Sequence, residues 1–281
     1  MHESIELRQL NTGMNLNESI QALLSIFLYQ VVVGILLFIL SRTIISIFEV
    51  YGIKVNSIDS YMSLFMEVAA YILFIKKYVN TKKFYLKITW KIDLKIYIFI
   101  LMAFIGYRIC YDNTLSLLLS AINKSSWVEQ ALNEMLKVPA LAAISILFVA
   151  PIFEEAIFRG IILEQLSKRY TPMLSIIVSS ALFSFFHLNL IQFVNVFFLG
   201  VLSGIVYLKT NSLIPCIFLH FINNGYAFMI GVLPWIYSDK FSITRLIIGI
   251  LVLILSVFVF KNVTQNKENI TIGIYELGQC R

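Results

Sequence analysis

Long, nearly continuous apolar runs alternate with short polar connections along this chain of 281 residues. Because a helix needs about 20 apolar residues to cross a bilayer, the runs predict membrane-spanning helices. They lack the apolar–polar alternation of a membrane β-barrel. The predicted fold is therefore all-α, a polytopic membrane protein with about eight spans. These cover residues 19–48, 61–75, 97–122, 138–163, 171–188, 191–208, 213–232 and 243–260.

A lysine-rich connection after the second span predicts the orientation of the helices. Its seven lysines are Lys76, Lys77, Lys82, Lys83, Lys87, Lys91 and Lys95. Lysine-rich connections stay on the cytoplasmic side, and counting spans from this one places both termini in the cytoplasm. The same lysines would also suit anionic lipid or a protein partner, although orientation alone accounts for them.

The composition agrees with a membrane protein and narrows the classes of function. Apolar residues make up 59% of the chain and charged residues 14%, whereas soluble domains average about 45–50% and about 25%. This excludes an ordinary soluble enzyme and a disordered chain. The net charge of +6 comes from lysines between apolar runs, so no nucleic-acid partner is expected. Three scattered cysteines form neither a disulfide framework nor a zinc ribbon.

The fourth predicted span carries three ionisable residues within six positions: Glu154, Glu155 and Arg159. Charges near the bilayer centre cost about 2.5–3.5 kcal/mol each on insertion scales, so they need a structural or functional reason. Glu155 and Arg159 are four residues apart and share a helix face, which predicts a supporting pair. Glu154 is turned about 100° from Glu155 and is expected to face elsewhere. The alternative at this point is one buried structural network of all three residues.

Two histidines fall in other apolar runs. His187 ends the fifth predicted span, and His220 lies in the seventh, one helical turn before Asn224. The fourth and fifth spans form a hairpin whose turn is near residue 170, and Glu154 and His187 are equally far from it. These two side chains are therefore expected at the same depth and able to face each other.

Two further polar features of the spans predict structural contacts. Arg108 and Asp112 are four residues apart in the third span and are expected to pair. Glu67 in the second span is expected to make an interhelical contact, although it would also suit the lining of a cavity.

The four polar groups suit hydrolysis of an amide or ester by activated water. A carboxylate and an imidazole can deprotonate water, and imidazole and amide N–H groups can hold an oxyanion. A thiol mechanism with Cys216 and His220 is a weaker alternative. A stronger alternative is a zinc site formed by Glu154, His187 and His220, because two histidines and a glutamate are a common catalytic zinc set.

Three motifs occur in order along these spans: EExxxR at Glu154, FxxxH at Phe183 and HxxxN at His220. Together they resemble the CPBP family, also called the Abi family, of CAAX-protease-like glutamate intramembrane proteases. The resemblance covers about residues 138–228. It implies that Glu154 and His187 activate water without a cofactor and that His220 and Asn224 form the oxyanion hole. It also implies that Glu155 and Arg159 support the site and that Phe183 packs beneath His187.

The sequence therefore predicts a multi-pass intramembrane endopeptidase of the plasma membrane. Its partners would be the lipid bilayer and a membrane-embedded or lipid-associated peptide, prenylated or bacteriocin-like. The Ile-, Lys- and Asn-rich composition favours a bacterial source. Residues 1–137 would hold the N-terminal tail and three helices, residues 138–232 the catalytic core, and residues 233–281 the last helix and tail. The rival hypothesis is a non-proteolytic immunity or peptide-binding scaffold.

Overall fold

The computed structural model describes residues 13–53, 58–82, 85–119, 137–233 and 240–278, and these form helices without a strand. The all-α prediction is confirmed. The helices are α1 (Leu16–Val50), α2 (Ile58–Lys82), α3 (Leu94–Asp112), α4 (Leu115–Leu119), α5 (Pro139–Leu166), α6 (Pro172–Phe186), α7 (Leu190–Thr210), α8 (Ile214–Val232) and α9 (Ile243–Gly278). The third predicted span ended at residue 122, but α3 ends at Asp112, and residues 120–122 lie outside the described ranges. Lys83 and Cys280 also lie outside them.

Six of these helices are long and apolar enough to cross a membrane: α1, α2, α3, α5, α7 and α9. The fifth and seventh predicted spans are shorter apolar helices, α6 and α8. The 15 residues of α6 rise about 22 Å, less than the roughly 30 Å of a hydrocarbon core. The chain is therefore a multi-helix membrane protein, and the cytoplasmic location of its termini stays a prediction.

Local sequence signals set where several helices begin. Asn15 caps α1, since its side chain accepts a hydrogen bond from the Glu18 backbone and the Glu18 carboxylate accepts one from the Asn15 backbone. Asp93 caps α3 by accepting from the Lys95 backbone at 2.9 Å. Proline occupies the first position of α6, where its missing N–H has no effect.

The described residues pack as two compact units. The first, Met1–Lys87 with Lys124–Ile205, contains α1, α2, α5, α6 and most of α7. Its core is apolar and aromatic and is built mainly from α1, α2, α5 and α6. The core includes Ala22, Leu23, Ile26, Tyr71, Phe74, Ile157, Phe158, Ile161, Ile162, Leu182 and Phe183. In this unit α5 is the central helix, because every residue from Ala156 to Leu163 is buried.

The sequence analysis treats this span as a regular α-helix, but α5 departs from regular α-helical geometry. It has π-helical stretches at Ser145–Val149 and Ala156–Leu163, with α-helical turns at Ala150–Glu155 between them. Pro151 lies just after the first stretch. Proline lacks the N–H that an α-helix needs and clashes with the carbonyl four residues earlier, so a wider turn before it relieves both problems.

The second unit, Ile88–Asn123 with Val206–Arg281, contains α3, α4, the end of α7, α8 and α9. Helix α3 packs against α9 and α8. Glycines allow the close approach of α3 and α9: a Cβ atom at Gly249 would lie 2.7 Å from the Cys110 sulfur, and one at Gly106 would lie 2.9 Å from Leu253. Edge-to-face rings of Tyr97 and Phe218 join α3 to α8.

Candidate active site

Glu154 lies on the α-helical turns of α5, between the two π-helical stretches, and is 6% exposed. The Tyr71 hydroxyl of α2 donates a hydrogen bond to its Oε1 atom at 3.2 Å. The Tyr71 ring stacks on Phe153 with centroids 5.4 Å apart, and this contact fixes the position of the hydroxyl. The buried carboxyl is therefore held by a partner from another helix.

His187 faces the same carboxyl from α6. Its Nε2 atom lies 4.0 Å from Glu154 Oε2, so the structure brings together the two side chains that the hairpin predicted to be close. His187 was predicted inside the fifth span, but it occupies the C-terminal cap of α6. The next residue, Leu188, has a φ of 49°, which turns the backbone away from the helix axis.

A backbone contact sets the tautomer of His187. Its Nδ1 atom lies 3.0 Å from the Phe183 carbonyl oxygen. That oxygen can only accept, so Nδ1 carries the hydrogen, and in the neutral ring Nε2 is the acceptor that faces Glu154. The Phe183 ring packs edge-on against the imidazole with centroids 5.0 Å apart. The FxxxH spacing thus gives the imidazole two contacts from one residue.

Glu155 and Arg159 form the predicted pair. The Arg159 Nη1 atom donates to Glu155 Oε1 at 2.9 Å, and both side chains are 1% exposed. Ser203 donates to the other carboxylate oxygen at 2.8 Å, and Arg159 also donates to the Gly200 carbonyl at 3.3 Å. The guanidinium lies 4.4 Å from the centre of the Phe183 ring. The pair therefore ties α5 to α7 and to Phe183 of α6, the residue whose ring packs against His187.

His220 and Asn224 lie on one face of α8, in the second unit, and His220 is buried. The Asn223 amide donates to the Asn224 side-chain oxygen at 3.1 Å. Their assembly with Glu154 and His187 into one site stays a prediction. The Cys216 sulfur, one turn before His220, lies 3.7 Å from the Ser212 carbonyl, and the thiol mechanism also stays a prediction.

A polar cluster fixes α8 within the second unit. Arg108 donates to Asp112 at 2.6 Å, which confirms the predicted pair. The Tyr226 hydroxyl donates to the other Asp112 oxygen at 2.6 Å, and the Arg108 guanidinium lies 4.4 Å from the Tyr226 ring centre. Because Tyr226 follows Asn224 by two residues, this cluster anchors the part of α8 that carries the HxxxN motif.

Sequence reasoning missed Tyr71 as a partner of Glu154. The available signal was its spacing of four residues from Glu67, the ionisable residue already noted in the second span. Glu67 makes the expected interhelical contact, since Ser145 donates to its Oε2 atom at 2.5 Å. It also lines a cavity formed by α1, α2 and α5.

Metal ligands were considered because Glu154, His187 and His220 could form a zinc set. Within the described ranges, no three His, Cys, Asp or Glu side chains are grouped in a way that would hold a metal ion. The zinc alternative therefore stays a prediction for a chelation experiment.

Comparison with known families adds a match over part of the chain. Residues 136–226 match the family described as Type II CAAX prenyl endopeptidase Rce1-like. This range is about a third of the chain and contains all three motifs, and it confirms the predicted resemblance to the CPBP family. Searches of curated proteins and of solved structures returned no match. Together with the membrane helices, the family match supports an intramembrane endopeptidase in general terms.

Proposed function

We propose that this chain, Rce1-like over residues 136–226, hydrolyses a peptide bond with water activated by Glu154 and His187. The observation that carries the proposal is the contact of 4.0 Å between the buried Glu154 and the partly buried His187. That distance is too long for a direct hydrogen bond. The separation matches that of two groups bridged by one water, since a water about 2.8 Å from both atoms has an angle of roughly 90° at its oxygen.

The proposed reaction assigns each proton a position. The Glu154 carboxylate takes a proton from the water, while His187 Nε2 accepts a hydrogen bond from the other O–H of the same water. The resulting hydroxide attacks the carbonyl carbon, and the C=O electron pair moves onto the oxygen. When the C–N bond breaks, the proton held by Glu154 passes to the leaving nitrogen. Hydrolysis in this form needs no oxidant, reductant or bound cofactor.

His220 and Asn224 complete the proposal as donors to the oxyanion. This assignment rests on the HxxxN resemblance and on the chemistry of the two groups, since an imidazole N–H and an amide N–H both stabilise developing negative charge. Removal of one oxyanion donor lowers kcat by about 10²–10³ in a well-studied protease. His220→Ala and Asn224→Ala should each show a loss of this order, with unchanged membrane expression.

The proposed substrate is a membrane-embedded or lipid-associated peptide. A prenylated peptide ending in a CAAX sequence is the first to test, because the matched family is described by that activity. A bacteriocin-like peptide is the second, and the proposed location is the plasma membrane of a bacterium. The apolar helices would let such a peptide approach from the lipid phase.

The test compares wild type with Glu154→Gln in cells by mass spectrometry of membrane and secreted peptides. Glu164→Gln is the matched control, because Glu164 lies on the same helix but pairs with Lys87 at 2.9 Å. A product that disappears only in Glu154→Gln supports the proposal and identifies the cleaved bond. The proposal fails if wild type, Glu154→Gln and Glu164→Gln all give the same peptides. If cells then also keep their resistance to a bacteriocin-like peptide, the peptide-binding scaffold takes its place.

A further inference from the structure

A cavity of about 600 Å³ lies within the first unit, at the end of α2 remote from the lysine-rich connection. Residues 34–42 of α1, 59–67 of α2 and 141–145 of α5 line it. Its volume falls within the range of roughly 300–1,000 Å³ typical of ligand pockets, and a single water needs only roughly 10–15 Å³. The cavity can therefore hold many water molecules.

Polar groups occupy both ends of this cavity. At the end near the start of α2, called the outer end, Arg42 of α1 forms an ion pair with Asp59 of α2, and both side chains are about half exposed. At the inner end Ser145 donates to Glu67 at 2.5 Å. Ionisable groups within membrane spans face protein or a water-filled cavity rather than lipid, because hydrocarbon does not solvate them. The lining is mainly apolar overall, so the polar groups at the two ends are the ones that would hold water in the cavity.

The inner end of the cavity is close to the candidate active site. Glu67 and Tyr71 are four residues apart on one face of α2, and the Tyr71 hydroxyl donates to Glu154. Their partners on α5, Ser145 and Glu154, are nine residues apart and would lie on opposite faces of a regular α-helix. The π-helical stretch Ser145–Val149 changes the rotation between them, and both residues contact α2.

We propose that this cavity is a water-filled vestibule that supplies the hydrolytic water to Glu154 past Glu67 and Tyr71. This inference rests on the proposed function, since it assigns the cavity to the same reaction. It places the water supply at the end of α2 opposite the lysine-rich connection. The peptide then has no need to share its own route of entry with water.

Cysteine accessibility tests whether the cavity holds water. Ser63→Cys and Met66→Cys place thiols in its lining, with Met66 nearer the inner end. Tyr61→Cys and Phe65→Cys are depth-matched controls, because both side chains are more than half exposed and neither lines the cavity. Each variant is made without the native cysteines, reconstituted in liposomes and treated with a charged methanethiosulfonate reagent on both faces.

A water-filled vestibule predicts that both lining thiols react roughly tenfold or more faster than the two control thiols, because the reactive thiolate forms only in water. Labelling Ser63→Cys with a bulky reagent should also lower the hydrolysis rate roughly tenfold, about 1.4 kcal/mol, while labelled Phe65→Cys keeps its rate. Slow reaction at Met66→Cys would overturn the proposal, because water would then not reach Glu67. Fast labelling without loss of activity would overturn the supply role.

The labelling rates of the introduced cysteines can be measured without any enzymatic activity. A chain that fails the Glu154→Gln comparison can still be tested for a hydrated cavity. The failure of the proposed function and the failure of the vestibule are therefore separate results.

Discussion

Tyr71→Phe isolates the hydrogen bond that holds Glu154. The substitution removes the hydroxyl that donates to Glu154 Oε1 at 3.2 Å and keeps the ring that stacks on Phe153. Hydrogen bonds to charged groups contribute about 1.5–3 kcal/mol, and this one is longer than the usual O–H···O distance of about 2.7–2.8 Å. We therefore expect the lower end of that range, about 1.5 kcal/mol.

The bond favours one orientation of the Glu154 carboxyl by about 1.5 kcal/mol, so its loss lowers the population of that orientation, and with it kcat, by up to roughly tenfold. KM should change little, because the lost bond orients the base and makes no contact with the peptide. The assay measures initial rates on the product that the Glu154→Gln comparison identifies, using purified protein in liposomes. Thermal unfolding in detergent reports whether the core has also changed.

Tyr78→Phe is the matched control for this experiment. Tyr78 lies on the same helix, is also buried, and stacks on Phe74 with centroids 4.6 Å apart. The control should keep the wild-type rate. Full activity in Tyr71→Phe would refute the assignment of Tyr71 as a positioning residue. Equal losses in both variants would show that the effect comes from the α2 core and not from Glu154.

Three further predictions test the support of the site. Glu155→Gln leaves the buried charge of Arg159 uncompensated and should destabilise the protein by about 3–5 kcal/mol, measured by thermal unfolding, whereas Glu154→Gln should unfold near the wild-type temperature. Gly200→Ala should destabilise by about 1–3 kcal/mol, because the new Cβ would lie 2.9 Å from Ser180 Cβ; Gly34→Ala should be tolerated, since it meets only the end of a methionine side chain. Hydrolysis should continue in the presence of a metal chelator. If the chelator abolishes activity and added zinc alone restores it, the zinc alternative would be established.

The sequence could predict those parts of the fold and site that depend on local spacing. Continuous apolar runs predict helices directly, and a spacing of four residues predicted the Glu155–Arg159 pair, since residues on one helical turn meet wherever the helix packs. The proximity of Glu154 and His187 followed from a short hairpin in the same way. These features need only helix geometry and the length of one connection.

Other features depend on packing between distant segments and were not predictable in this way. Tyr71 reaches Glu154 because α2 packs against α5, a contact over 83 positions; its spacing of four residues from Glu67 indicates a shared helix face but not the partner on α5. The π-helical stretches of α5 combine the effect of Pro151 with the packing around it. The end of α6 before His187 likewise has no apolar–polar signal, because Leu188 continues the apolar run.

Glu154 and Glu155 are chemically identical neighbours, but the structure gives them different surroundings. Both Glu155 oxygens accept short hydrogen bonds, one from the charged Arg159 at 2.9 Å and one from Ser203 at 2.8 Å, so taking up a proton would disrupt an ion pair. Glu154 has a longer bond from a neutral tyrosine hydroxyl and faces an imidazole acceptor. Since burial in the same helix affects both residues, the partners supplied by α2, α6 and α7 account for the difference. These contacts favour Glu154 over Glu155 as the proposed general base.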